Sequence, residues 1–119
     1  MNIEELRNYC MAKKGVTESF PFDDKALVFK VMNKMFCITN VDNYTGFSAK
    51  CDPQRATDLR EKYPHGVLPG WHLNKQHWNS VKIGEGVPED LLYELVDHSY
   101  DLIVASLPKK VQKELAEMT

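Results

Sequence analysis

Residues 26 to 39 read Ala26-Leu27-Val28-Phe29-Lys30-Val31-Met32-Asn33-Lys34-Met35-Phe36-Cys37-Ile38-Thr39. Leu27, Phe29 and Val31 alternate with Lys30, as a strand with one buried face requires. Met32-Asn33-Lys34 makes a turn, and Met35 to Thr39 is again rich in apolar and β-branched residues. Two such runs joined by so short a connection form an antiparallel hairpin with Lys34 near its tip. Outward from it, Phe47, Ala49 and Cys51 alternate with Ser48 and Lys50 and predict a third strand.

The segments around these strands carry helix signals. Asn2 with Glu5 three residues later forms a capping box, and Ile3, Leu6 and Cys10 follow at helical spacing, so a helix is expected from about residue 3 to residue 13. Lys13 and Lys14 would complement its dipole and Gly15 would supply a left-handed exit. Phe20-Pro21-Phe22-Asp23-Asp24 then reads as a rigid connection. Asp52 before Pro53 is an N-cap followed by proline at the first helical position, with Ala56, Leu59 and Tyr63 on one face and Pro64 as the stop. Val67 through Ile83 has strand character interrupted by Pro69-Gly70, with Trp78 expected to anchor a strand in the core. Pro88, Glu89 and Asp90 open a long helix whose apolar side carries Leu91, Leu92, Leu95, Val96, Ser99, Leu102 and Ile103, and beyond Pro108 a short, loosely packed helix holds Val111 and Leu115. The order predicts a single α+β domain over residues 1–119, an antiparallel sheet packed against helices.

Composition narrows the function. Apolar residues make up 43% and charged residues 27%, which is ordinary for a globular chain. No apolar run approaches the roughly 20 residues of a membrane span and the first residues lack a secretory pattern, so a cytoplasmic protein with no membrane partner is expected. Cys10, Cys37 and Cys51 are odd in number, scattered and set among apolar residues, which fits buried reduced thiols. Residues 1–82 carry 12 Lys and Arg against 9 Asp and Glu, a balance of +3, whereas residues 83–119 carry 3 against 8, or −5. The front of the chain is mildly basic, without the stripe of a strongly basic nucleic-acid binder.

Pro69 to Asn79 packs two Trp, two His and two Asn into eleven positions. A structural role, with His72 and Asn74 tying down an irregular backbone, is weighed first. His72 and His77, five apart, fall on opposite faces of a strand and well apart on a helix, so they make no metal pair. No metal and no cofactor is expected. Nucleophile elbows and phosphate-cradling glycine loops are missing, so the chain reads as a binding module with no catalytic residues, not an enzyme. Glu85, Glu89, Asp90, Glu94, Asp97 and Asp101 suit a solvated helix face or a surface for a protein partner.

Phe20-Pro21-Phe22, the Phe29-Lys30-Val31 to Lys34-Met35-Phe36 hairpin, His72-Leu73-Asn74-Lys75-Gln76-His77-Trp78 and Ser99-Tyr100 together resemble the YjbR/MmcQ family of small bacterial proteins. The resemblance covers nearly the whole chain. It implies a frataxin-like architecture, similar to the double-wing DNA-binding domain of a phage transcription factor, and with it a DNA-binding role. Lys34, His72, Leu73, Asn74, Lys75, His77 and Trp78 carry over as motif positions. The expected DNA contacts are Lys30, Lys34, Lys50, Lys75 and Lys82, on the sheet and hairpin. The alternative is a protein-interaction or small-ligand module using the Trp71 to Trp78 segment, and a frataxin-like cation binder stands third.

Overall fold

A computed structural model describes residues 1–118. In chain order the elements are α1 (Ile3–Met11), β1 (Val16–Ser19), β2 (Ala26–Val31), β3 (Lys34–Asn40), β4 (Gly46–Lys50), α2 (Pro53–Lys62), β5 (Val67–Pro69), β6 (Trp78–Lys82), α3 (Glu89–Ser106) and α4 (Lys109–Ala116). The strands form one antiparallel sheet in the order β1-β2-β3-β4-β6-β5. The fold class is therefore α+β, with an antiparallel sheet packed against helices, as the local patterns predict.

Local chemistry accounts for most element ends. The Asn2 side chain accepts from the Glu5 amide at 2.8 Å while Glu5 accepts from the Asn2 amide at 2.9 Å, the reciprocal capping box. Asp52 caps α2 by accepting from the Arg55 amide at 3.0 Å, with Pro53 at the first helical position. The β2–β3 turn holds Met32 and Asn33 at φ +49° and +70°, the left-handed pair that a two-residue hairpin needs to match strand twist. Val31 pairs with Lys34, which places Lys34 at the turn.

Register separates the two faces of the sheet. Leu27, Phe29, Cys37, Thr39, Phe47, Ala49, Asn79 and Val81 share the face that receives Leu6 and Cys10 of α1, Ala56 and Leu59 of α2, and Leu92, Leu95, Val96 and Ile103 of α3. All three cysteines are buried and free. Burial raises the Cys37 thiol well above its ordinary pKa and pushes Cys51 up to about 11. Pairing passes from Phe29–Cys37 to Lys30–Met35, so Phe36 is an extra residue in β3 and lies buried beside Cys37. Its ring meets the Tyr100 ring edge-on at 5.5 Å.

Several expectations are corrected. Four strands, not three, precede α2, because Val16–Ser19 pairs along β2 as an edge strand. Its single apolar residue left no alternation to read, and Glu18, on the helix side, is held by Arg7 of α1 through two 2.7 Å hydrogen bonds. The first helix stops at Met11, so Lys13 and Gly15 do not cap it. Lys13 instead pairs with Asp97, and Gly15, at φ +74°, allows the close approach of Leu115, whose Cδ1 would lie 2.5 Å from an added Cβ. Leu115 is thus buried in the core, and α4 is anchored, not loosely packed.

The acidic residues of α3 are more than a solvated ridge. Glu89 pairs with the Met1 ammonium at 2.8 Å, Glu94 with Arg55 of α2, and Asp97 with Lys13 and the Tyr9 hydroxyl. Burial and the Asp97 carboxylate raise the Tyr9 phenol to about 12. These carboxylates bind the helical layer together.

His98 links α3 to the cap of α2, since its Nε2 accepts from the Asp52 amide at 3.1 Å. An accepting nitrogen carries no proton. Burial, then the nearby Arg55, lower the His98 pKa below its ordinary 6.5, against opposing pulls from Glu94, Asp52 and Asp101. The unfolded chain therefore takes up the proton first as pH falls. The stability from neutral His98 is complete above about pH 6.5 and is lost as pH drops through the lower folded-state value. Denaturation midpoints measured at several pH values should fall over this window in the wild type, and the fall should be shallower in His98→Gln; identical profiles would refute the linkage.

Candidate nucleic-acid interface

The opposite face of the sheet receives none of these helices. Across it runs one row of paired positions, Ile38–Ser48–Ser80–Leu68, one from each of β3, β4, β6 and β5. Ser48 and Ser80 keep the middle of this row low between Ile38 and Leu68, and their hydroxyls hydrogen-bond to each other at 2.8 Å. The Gly46–Lys82 and Ala26–Asn40 pairs border the row on one side, the Lys50–Trp78 and Lys30–Met35 pairs on the other. The result is a groove of about 620 Å³ whose lining includes Ile38, Asn40, Ser48, Leu68, Trp71, Ser80 and Lys82.

Charge is segregated between the layers. Alternation places Lys30, Lys50 and Lys82 on the helix-free face, and among its strand positions there is no Asp or Glu. The α3 carboxylates lie in the helical layer instead. Of the five lysines expected at DNA, these three share one face and Lys34 stands exposed at the hairpin turn. Lys75 is elsewhere, its ammonium donating to the Gly70 carbonyl at 3.1 Å.

The motif from His72 to Trp78 is a loop that ties itself down. Asn74 Oδ1 accepts from the Gln76 amide at 2.9 Å, and the Asn74 carbonyl accepts from the amides of His77 at 3.2 Å and Trp78 at 2.9 Å. The His77 carbonyl accepts from the Cys51 amide at 2.8 Å, and Leu73 and His77 are half-buried. Arg60 of α2, which no local pattern singled out, donates to Asn79 Oδ1 at 2.7 Å and to the carbonyls of Lys75 and Trp78. His72 sits at φ +56°, a rare left-handed conformation for a residue with a side chain. Trp78 is half-buried on the helix-free face, paired with Lys50 and packed over Gly70, so it does not anchor the core as expected.

Trp71 has a different position. Its amide donates to Ser80 Oγ at 3.2 Å, which turns the chain back over the helix-free face, and the side chain is 76% exposed at the rim of the groove. Phe20 and Phe22, in the β1–β2 connection, are also exposed. Among the described residues no three His, Cys, Asp or Glu side chains converge as metal ligands, and no helix is long and apolar enough to cross a membrane.

Two layers, with every strand antiparallel and one sheet face left without helices, define a compact α+β protein of the one-sheet class. Residues 11–102 match the YjbR family model, and the chain belongs to the YjbR family. It is 39% identical to the uncharacterized Escherichia coli protein YjbR over 119 residues, covering 99% of this chain and 100% of that one. The uncharacterized Escherichia coli protein YbdF is 37% identical over 97 residues, 81% of this chain and 79% of that protein. A crystal structure of a Deinococcus radiodurans protein superposes with a TM-score of 0.90 at 39% identity, covering 97% of this chain and 88% of the other. A Pseudomonas syringae protein shares the fold, with a TM-score of 0.71 at 22% identity over 86% of this chain and 98% of that chain.

Proposed function

We propose that this protein is a non-enzymatic DNA-binding module that meets phosphates with the helix-free face of its sheet. One observation carries the reading: Lys30, Lys50 and Lys82, from three separate strands, share that face with no carboxylate among its strand positions. The net charge of −2 is compatible with it, because the acidic excess belongs to the helical layer and the field near the lysines is set locally. Lys34, paired with Val31 at the hairpin turn, belongs by alternation to the helix side and stands apart from these three.

Phosphate contacts have a quantitative signature. If three lysines neutralise phosphates, log affinity should fall with log salt at a slope of about −3, since each contact contributes about −0.9. Changing Lys50 and Lys82 together to Ala should flatten that slope by about 2 and weaken binding to every sequence, with an unchanged denaturation midpoint. Fluorescence anisotropy of labelled DNA at low and moderate salt measures both. No binding at tens of micromolar protein in low salt would overturn the reading.

The groove itself favours a second reading, a small-ligand module. Its volume of about 620 Å³ falls in the range of small-molecule sites, about 300–1,000 Å³, and Leu68, Pro69 and Trp71 give it an apolar side against the two serines. A ligand held there would protect the Trp71 indole from quenching by iodide while leaving DNA titrations flat.

A further inference from the structure

We infer that the helix-free face takes single-stranded nucleic acid in preference to duplex, with the Trp71 indole stacking on an unpaired base. The inference rests on the DNA-binding reading and specifies which polymer the face accepts. Three observations point to it.

The first is Trp71 itself. An indole 76% exposed adds little to the stability of the core, and Trp71 lies outside the buried cluster. The chain nonetheless fixes its backbone, through the amide bond to Ser80 Oγ at 3.2 Å and the Gly70 amide bond to the Trp78 carbonyl at 2.9 Å. The adjoining His72 ring stands at 72° to the indole with centroids 4.7 Å apart, so it does not stack flat on it, and the indole stays 76% exposed. A large flat side chain held at the rim of a groove is a stacking platform, and base–aromatic stacking tolerates any base because every base has a π-face.

The second is the width of the sheet. Six strands at about 4.8 Å spacing span about 24 Å, whereas the DNA major groove is about 12 Å wide. The face cannot enter the groove, and in a duplex the bases are stacked on one another, out of reach of an indole. A single strand can lie across the low middle of the row at Ser48 and Ser80 with its bases turned out.

The third is the position of charge. Lys82 and Lys50 border the row on opposite sides, one strand apart, so a backbone crossing the groove passes cations on both sides while a base reaches Trp71. An aromatic platform beside a lysine-bordered groove is the arrangement that sequence-tolerant single-strand binding uses.

The experiment compares a labelled mixed-sequence single strand of about 12 nucleotides, within the usual site size of about 4–16, with the duplex of the same length. The full chain and its Trp71→Ala and Trp71→Phe variants are titrated by anisotropy, with thermal midpoints checked alongside. The expected result is single-strand binding about tenfold tighter than duplex binding. Trp71→Ala should weaken it by about ten- to one-hundredfold at an unchanged midpoint, and Trp71→Phe should restore most of the loss. Equal or tighter duplex binding, or single-strand affinity unchanged in Trp71→Ala, would overturn the single-strand inference while leaving the lysine face as a DNA contact. Binding to neither polymer would instead remove the DNA-binding reading, and this inference with it.

Discussion

Ser99→Ala is expected to destabilise the protein by about 2–4 kcal/mol, although it removes one oxygen atom. The extra residue Phe36 takes β3 out of step, and the β3–β4 ladder is limited to the Cys37–Ala49 and Ile38–Ser48 pairs. Past that point the Phe36 carbonyl and the Lys50 amide need another partner. Ser99, fully buried on α3, serves both: its hydroxyl donates to the Phe36 carbonyl at 2.5 Å and accepts from the Lys50 amide at 2.9 Å. Losing the hydroxyl orphans one buried acceptor, at about 1–3 kcal/mol, and one part-buried donor, at about 1 kcal/mol. That is a large share of the roughly 5–15 kcal/mol that holds a domain of this size together. Urea unfolding should show the lowered midpoint, and hydrogen exchange should show the Lys50 amide losing protection ahead of its neighbours in β4. An unchanged midpoint with Lys50 still protected would show that the serine does not bridge the strands.

Gly46→Ala should be more damaging still. Gly46 opens β4 at φ +154°, and a Cβ built there would stand 1.9 Å from the Val81 carbonyl oxygen of β6, a backbone atom that no rotamer change can move. Relief requires β4 and β6 to separate, and β6 with β5 reaches the rest of the sheet only through β4. Backbone strain and overpacking each cost about 1–3 kcal/mol, so the sum is about 2–6 kcal/mol, enough to unfold a marginal domain. Gly84 is a natural comparison, because it also has positive φ, at +78°, but nothing lies within 4 Å of the same added atom. Gly84→Ala should show only the dihedral penalty, about 1 kcal/mol. Far-UV circular dichroism with urea titration of the pair separates the two effects, and equal midpoints would remove the steric argument at Gly46.

Lys30, Lys50 and Lys82 illustrate what tertiary structure adds to function. Each is an outward residue of its own strand by simple alternation, which is visible locally. Whether they stand together depends on pairing between strands that are 20 and 32 residues apart in the chain, and on which sheet face the helices cover. The mild positive balance of residues 1–82 hinted at a basic surface without locating it. Lys75, expected from the motif as a contact, is exposed in the folded loop, where its ammonium donates to the Gly70 carbonyl. Ser48 and Ser80 left only a weak trace, small polar residues at outward strand positions.

The hairpin, the capping box at Asn2, the Asp52-Pro53 helix start and the apolar side of the long helix follow from the sequence alone. Each rests on residues within a few positions of one another, where φ and ψ preferences, side-chain caps and hydrophobic period act directly. Tertiary structure alone decided that Val16–Ser19 joins the sheet, that Trp78 and Trp71 stand on the helix-free side, and that the α3 carboxylates pair with Tyr9, Lys13 and Arg55. Those outcomes depend on register and packing between segments distant in the chain, where a residue's surroundings are set by partners that its neighbours in sequence do not specify.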